Sequence, residues 1–265
     1  MPELPDVQVL KEYLDSTALH QRIADVTIDA DDMLEDVSSR TLKSRLRKHS
    51  LRSTRRHGKH LFVEIAGDGW LRLHFGMTGE LEYSKGEREP GAHVRLRLDF
   101  ANGFHLDYRN TRKLGQIGLV DDVDEYIEQA GLGPDPLASE FDLASFRQAL
   151  AGRRGTIKGA LMNQSALAGI GNIYADEILF QAKLHPKAKV NRLKPKTVEQ
   201  LHRSLQRVLS RAIEARVDPE RFPDDFLLPH RDAGGSCPRC GRELQKTKVS
   251  GRTTYYCASD QRRRT

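Results

Sequence analysis

Ala168-Gly169-Ile170-Gly171-Asn172-Ile173-Tyr174-Ala175-Asp176-Glu177 reads as a tight turn opening into a helix, and it decides the fold of the second half of the chain. Two glycines let the backbone approach a ligand closely. Asn172 is placed to cap the helix that follows. The first N–H groups of such a helix point outward, with the positive end of its dipole behind them, which suits a phosphate. An ordinary corner between two packed helices would use the same residues.

Helical periodicity surrounds this turn. Residues 141–150 and 156–164 precede it as short amphipathic helices, and residues 173–182 continue it. Residues 195–217 form a longer helix with Val198, Leu201, Leu205, Val208, Leu209 and Ile213 on one face. The second half is therefore helical. Gly131-Leu132-Gly133-Pro134-Asp135-Pro136 reads as the linker in front of it.

Before the linker the period changes to two. Residues 61–65, 70–75 and 94–100 alternate apolar and polar, and Gly67-Asp68-Gly69, Lys85-Gly86, Pro90-Gly91 and Asn102-Gly103 mark turns. Val7, Val9, Leu10, Leu14 and Leu19 place one helix at residues 6–22. The expected class is α+β: an N-terminal β-sandwich with flanking helices over residues 1–130, then a helical domain over 131–235. Residues 40–60 hold nine Lys and Arg and no acidic residue, which predicts a nucleic-acid track rather than only a solvated face.

All three cysteines fall in the last thirty residues. Cys237 and Cys240 form C-x2-C, sixteen residues separate Cys240 from Cys257, and Asp260 stands where a second C-x2-C would end. Paired C-x2-C motifs make four-ligand zinc ribbons, so residues 236–265 are expected to be a ribbon one thiolate short. Three forms stay open: Zn2+ with Asp260 as fourth ligand, a three-cysteine site completed by water, and a metal-free hairpin.

The net charge of +6 and pI near 9.2 suit a polyanionic partner. No apolar run has membrane-spanning length, and the N-terminus lacks a basic start followed by an apolar stretch. The expected setting is the cytoplasm, with no membrane partner. Pro2 is small enough to permit removal of Met1, which would expose a secondary amine able to attack an aldehyde-like carbon. Glu3 and Asp6 lie beside it as proton carriers.

Met1-Pro2-Glu3-Leu4-Pro5-Asp6, Gly58-Lys59, His74-Phe75-Gly76-Met77-Thr78-Gly79, Arg112-Lys113-Leu114-Gly115, the run from Ala168 to Glu177 and the ribbon with Gly251-Arg252-Thr253 occur in one order. In that order the chain resembles the formamidopyrimidine-DNA glycosylase/endonuclease VIII family along nearly its whole length. The resemblance implies a β-sandwich, a helix–two-turns–helix domain and a zinc-ribbon hairpin. It implies a monomeric repair enzyme of damaged double-stranded DNA, associated with the nucleoid, which excises an oxidised base and cleaves the abasic site by β,δ-elimination.

By the same resemblance Pro2 attacks C1′ and forms a Schiff base, Glu3 protonates the sugar ring oxygen, and Lys59 contacts phosphate near the lesion. His74, His93, Lys158, Asn172 and Arg252 would bind the DNA backbone. Met77, Arg112 and Leu114 would fill the void left by the flipped nucleotide, apolar groups replacing stacking and the cation bonding the orphaned base.

The sequence departs from the family pattern in four places besides the ribbon. Leu114 stands for the usual Phe, Arg109-Asn110-Thr111 replaces an Asp-Pro, Asp6 replaces Glu, and residues 217–236 are short for a loop that covers an oxidised purine. The last makes formamidopyrimidines, oxidised pyrimidines and abasic sites at least as fitting as 8-oxoguanine. A non-catalytic protein binding damaged DNA on the same fold is the alternative, and the presence of Pro2, Glu3 and Lys59 argues for the enzyme. A general zinc-ribbon adaptor would leave the N-terminal motif and the glycine turn unexplained.

Overall fold

The computed structural model describes residues 1–86 and 89–262. The chain divides into two compact units: Met1–Pro2 with Val7–Ala130, and Glu3–Asp6 with Gly131–Thr265.

The first unit is a two-sheet sandwich. One sheet has the order β1-β7-β8-β6, from β1 (Ile23–Ile28), β6 (Gly79–Lys85), β7 (Val94–Phe100) and β8 (Phe104–Asn110). The other has the order β2-β9-β5-β4-β3, from β2 (Leu34–Glu35), β3 (Leu51–His57), β4 (His60–Ile65), β5 (Trp70–His74) and β9 (Gln116–Val120). All pairings are antiparallel except β2 with β9. The alternating residues expected to face inward do so: Leu61, Val63, Ile65, Leu71, Leu73, Leu96 and Leu98 share one buried core. Helix α1 (Leu4–Thr17) adds Val7 and Leu14 to that core.

Two further helices, α2 (Ser39–Leu46) and α3 (Val123–Gln129), lie in segments with no clear apolar stripe. Their ends are set by side-chain caps: Ser38 accepts from the Thr41 N–H and Asp122 from the Glu125 N–H. Tyr126 of α3 lies against Arg72, whose guanidinium sits 5.0 Å from the ring centre. That contact and Glu35 keep an arginine in the middle of β5 only 2% exposed.

The basic run at 40–60 is not a continuous cationic track. It is divided between α2 and β3, and several of its arginines are neutralised within the unit. Arg45 pairs with Asp68 at 2.5 Å, Arg47 with Asp25 at 3.6 Å, Arg52 with Glu64 at 3.5 Å, and Arg55 with Asp124. The acidic partners come from distant segments, so a local count of charges could not reveal them.

The second unit is helical with a terminal hairpin. Its helices are α4 (Leu143–Leu150), α5 (Ile157–Leu161), α6 (Asn172–Gln181) and α7 (Pro195–Glu214). Pro195 starts α7, where its missing N–H costs no hydrogen bond. Leu201, Leu205, Val208, Leu209 and Ala212 form its fully buried stripe. The helix stops three residues before the expected end because Arg216 and Val217 take left-handed conformations, with φ of 58° and 54°. Helix α5 is likewise shorter than the expected span. Helix α6 is buried on every side from Tyr174 to Gln181, which matches its weak amphipathic pattern.

The hairpin joins β10 (Gln245–Val249) to β11 (Arg252–Tyr256). Ser250 and Gly251 have φ of 49° and 75°, the two positive values that a tight two-residue hairpin turn requires. Arg252 begins β11 and is exposed.

Candidate active site and zinc ribbon

The glycine turn binds an anion, and the anion belongs to the protein. The Glu3 carboxylate is fully buried and lies at the start of α6. One of its oxygens accepts from the Gly171 N–H at 2.8 Å and the Tyr174 N–H at 3.1 Å, and the other accepts from the Ile173 N–H at 2.8 Å. These are donors that a helix start otherwise leaves unpaired. The Leu4 N–H donates to the Gly169 carbonyl at 3.0 Å, so the strand of chain is fixed as well as the side chain. A Cβ on residue 171 would collide with the Glu3 carboxyl group, which requires glycine there. Thus Glu3, rather than a phosphate, fills the helix-terminal site expected from the sequence.

Asn172 is the first residue of α6 and not its cap; Gly171 occupies the cap position with no side-chain bond. The Asn172 Oδ1 is buried without a hydrogen-bond partner among the described residues. Asp6 accepts from the Glu3 N–H at 2.9 Å. Burial pushes the Asp6 carboxyl up to about 6, against the lowering effect of that N–H. Pro2, half-buried, is the chain neighbour of this anchored glutamate.

Lys158 is not presented to solvent. Its ammonium is fully buried and donates to Asp176 at 2.6 Å and to the Thr254 hydroxyl at 2.7 Å. Arg231 meets the other oxygen of Asp176, with its Nε at 2.9 Å, and the Tyr255 N–H reaches the same oxygen at 3.2 Å. Burial lowers the Lys158 pKa and raises that of Asp176, each opposed by its partner's charge. This network fastens β11, and so the exposed Arg252, to α5 and α6. Lys158 thus supports β11 here, and its ammonium is not exposed for the phosphate contact expected of it. The signal was in the sequence: Asp176 and Glu177 sit in an otherwise apolar helix, and buried carboxylates need partners.

In the first unit, several predicted residues meet at one end of the five-stranded sheet. Lys59 lies in the β3–β4 turn, beside His60, which pairs across the sheet with His74. The two imidazoles are 5.0 Å apart. Burial, with the nearby Lys59 and Arg72 charges, lowers His74 to about 4; burial and His74 lower His60 to about 2. Both rings are neutral at physiological pH. His74 Nδ1 accepts from the Gly76 N–H at 3.4 Å, which leaves its Nε2 to carry the proton. His93 is exposed, in the turn before β7.

The chain crosses between the two sheets at residues 75–78 and again at 111–115, and these crossings touch. A Cβ at Gly76 would strike the Leu114 carbonyl. Met77 is 39% exposed and Leu114 51% exposed, an unusual state for such side chains. The Arg112 guanidinium lies 3.1 Å from the Met77 sulfur. The structure thus brings Met77, Arg112 and Leu114 together as an exposed apolar pair with a cation.

Sequence reading missed the residues that hold them. Asn110 is fully buried, donates to the Phe75 carbonyl at 3.1 Å, and bonds Thr78 at 3.2 Å; Thr78 accepts from the Arg112 N–H at 3.1 Å. The departure at Arg109-Asn110-Thr111 therefore contains the pin between the two turns.

Cys237, Cys240 and Cys257 place their sulfurs within 4.8 Å of one another, and Cys240 and Cys257 are 3.6 Å apart. A tetrahedral zinc with bonds near 2.3 Å sets its sulfurs about 3.8 Å apart, so the donor set fits the metal. Asp260 is not in this group. Its carboxylate bonds Arg239 at 2.7 Å and lies 3.7 Å from the Lys183 ammonium. The matching C-x2-C spacing suggested a ligand, but the nearby arginine captures the carboxylate instead.

The sandwich, the glycine-turn helices and the cysteine hairpin define the class: a DNA glycosylase architecture built around a helix–two-turns–helix unit. Three family models match in sequence. They are the formamidopyrimidine-DNA glycosylase N-terminal domain at residues 1–117, the H2TH domain of the same enzymes at 132–222, and a zinc finger found in FPG and IleRS at 234–263.

Formamidopyrimidine-DNA glycosylases of Thermomicrobium roseum and Streptococcus pyogenes are similar to the chain. The first is 34% identical over 97% of this chain and 98% of its own; the second is 32% identical over the full length of both. The Lactococcus lactis Fpg bound to DNA containing an abasic site is 32% identical, with a TM-score of 0.89 over 98% of this chain and 99% of that one. The chain belongs to the formamidopyrimidine-DNA glycosylase family, and its three clustered thiols form the family's structural zinc site.

Proposed function

We propose that this protein is a DNA repair glycosylase that excises oxidatively damaged bases and then cleaves the abasic site as a lyase. The observation that carries the reading is the capture of Glu3 by three backbone N–H groups of the glycine turn. A carboxylate held by both oxygens has a fixed orientation, and its neighbour Pro2 becomes a secondary amine once Met1 is removed. Pro2 nitrogen attacks C1′ of the extruded nucleotide and the glycosidic bond breaks, releasing the base. The proton lost by the attacking Pro2 nitrogen passes to Glu3, which delivers it to the ring oxygen as the sugar opens and an iminium forms. Loss of a C2′ proton expels the 3′ phosphate, and a second elimination expels the 5′ phosphate.

Lys59, His74 and Arg252 are the backbone contacts this reading favours, and His93 is a further one. Exposure and proximity support Met77, Arg112 and Leu114 as the void-filling group. Solved complexes of the Lactococcus lactis enzyme contain Fapy-dG or abasic-site DNA. These lesion classes, with oxidised pyrimidines, are the proposed substrates. Residues 1–130 form the proposed catalytic domain, 131–235 the helical DNA-binding domain and 236–265 the ribbon. The protein acts as a monomer on chromosomal DNA in the cytoplasm. Among the described residues, no helix is long and apolar enough to cross a membrane.

The test is an incision panel on duplexes carrying 8-oxoguanine, a formamidopyrimidine, thymine glycol, 5-hydroxycytosine and an abasic site. Release of a damaged base with strand cleavage is expected. Tight binding of every lesion without release or cleavage would make it a damage-binding protein.

A further inference from the structure

The residue at the missing corner of the ribbon has another partner, and a different oxygen stands beside the thiols. The Ser259 hydroxyl lies 3.1 Å from the Cys257 sulfur and 3.4 Å from the Cys240 sulfur. A carboxylate oxygen and a thiolate sulfur on one tetrahedral zinc lie about 3.6 Å apart, given metal bonds near 2.1 and 2.3 Å, and the Ser259 hydroxyl is within about half an ångström of that separation from both sulfurs. Ser259 is exposed, as is Cys240, so this corner faces solvent.

Asp260 faces the other way. Its Oδ2 accepts from Arg239 at 2.7 Å. The same guanidinium donates to the Phe180 carbonyl at 2.9 Å and to Gln181 Oε1 at 2.6 Å, and lies 4.1 Å from the centre of the Phe180 ring. Arg239 sits between Cys237 and Cys240 in sequence, while Phe180 and Gln181 end α6. A charged side chain of the cysteine loop is thus bound to the last turn of the helix, where carbonyl groups need donors.

We propose that the ribbon holds zinc through three thiolates with the Ser259 hydroxyl at the fourth corner, and that Asp260 is a positioning residue that locks Arg239 onto α6. Replacing a fourth thiolate by a neutral, solvent-facing hydroxyl leaves the metal more open to exchange. The loop stays docked because the Arg239–Asp260 clamp does not depend on the metal. This inference concerns the ribbon alone and does not depend on the lyase reading.

The test measures zinc content and the rate of zinc transfer to a chromophoric chelator, with thermal unfolding of the same full-length proteins. Wild type is expected to carry one zinc. Ser259→Ala should release it at least about tenfold faster, since removing even an outer-shell partner of a metal ligand costs about 10–100-fold in affinity. Asp260→Asn and Arg239→Ala should stay within about twofold of wild type in release rate. Each should lower Tm by about 2–4 °C, and the double variant should fall no further than the worse single one. Asp260→Asn keeps the shape of the side chain, so it separates ligand loss from misfolding. Faster zinc loss from Asp260→Asn than from Ser259→Ala, unchanged release from Ser259→Ala, or zinc-free wild type would each overturn the proposal.

Discussion

Glu3 and Gly171 are one structural unit despite lying far apart in the chain. The carboxylate needs the N–H groups of residues 171, 173 and 174, and it can approach them only because residue 171 has no Cβ. Gly171→Ala should therefore displace Glu3, lower stability by about 1–3 kcal/mol, and reduce lyase turnover more than DNA affinity. Thermal unfolding, affinity for an abasic duplex and single-turnover cleavage would separate these effects. Unchanged cleavage would show that Glu3 acts from another position. The sequence made the glycine turn legible as an anion site, because the turn and helix start are local. It did not reveal the occupant, since nothing local joins residue 3 to residue 171. Asn110 stood out only as part of a departure from the family pattern; its role as a pin arises when two sheet crossings meet.

At the level of elements, the strands and helices with clean periodicity were readable. Strands β4, β5 and β7 and helices α4 and α7 lie where alternation or a 3.6-residue stripe places them, and α6 lies where the glycine turn starts it. Helix α2 and strand β3 were hidden inside a basic run, because their charges are balanced by acidic residues remote in sequence. The ribbon shows the same limit, since spacing located the three thiols but could not show Asp260 turning to Arg239. The buried Lys158–Asp176 pair gives a prediction on this scale. Lys158→Met should cost about 3–5 kcal/mol by leaving a buried carboxylate short of one partner. It should leave the salt dependence of DNA binding unchanged, whereas Arg252→Ala should reduce the slope of log K against log salt by about one ion. Unfolding curves and titrations at several salt concentrations provide the check. An equal loss of slope in both variants would mean that Lys158 leaves its buried site to meet phosphate.

Across the whole molecule, buried titratable groups pull stability in opposite directions with pH. Glu177 is fully buried and accepts from Gln181 and the Leu228 N–H; burial pushes its pKa up to about 7. The native state thus holds its proton above the model-peptide value of 4.5, and stability falls as pH rises from about 4.5 to 7. His60 and His74 are lowered, so the unfolded state binds protons more readily and stability rises as pH climbs toward 6.5. These slopes partly cancel in the wild type. Glu177→Gln removes the Glu177 share of the falling component, to which buried Asp6 also contributes, so its stability relative to wild type should improve across pH 4.5–7, by at most about 3 kcal/mol. Urea unfolding of both proteins at several pH values would show it, and parallel pH profiles would contradict it. The net charge of +6 is the excess left after much internal pairing, and it favours DNA only where the cations remain unneutralised.

The central claim is the nucleophile. Protein with Met1 removed should be trapped by borohydride on an abasic-site duplex, and peptide mapping should place the adduct on the nitrogen of Pro2. Pro2→Thr should lose most of that adduct while still binding the duplex. No adduct from correctly processed protein, or an adduct mapped to a lysine in wild type, would contradict the account.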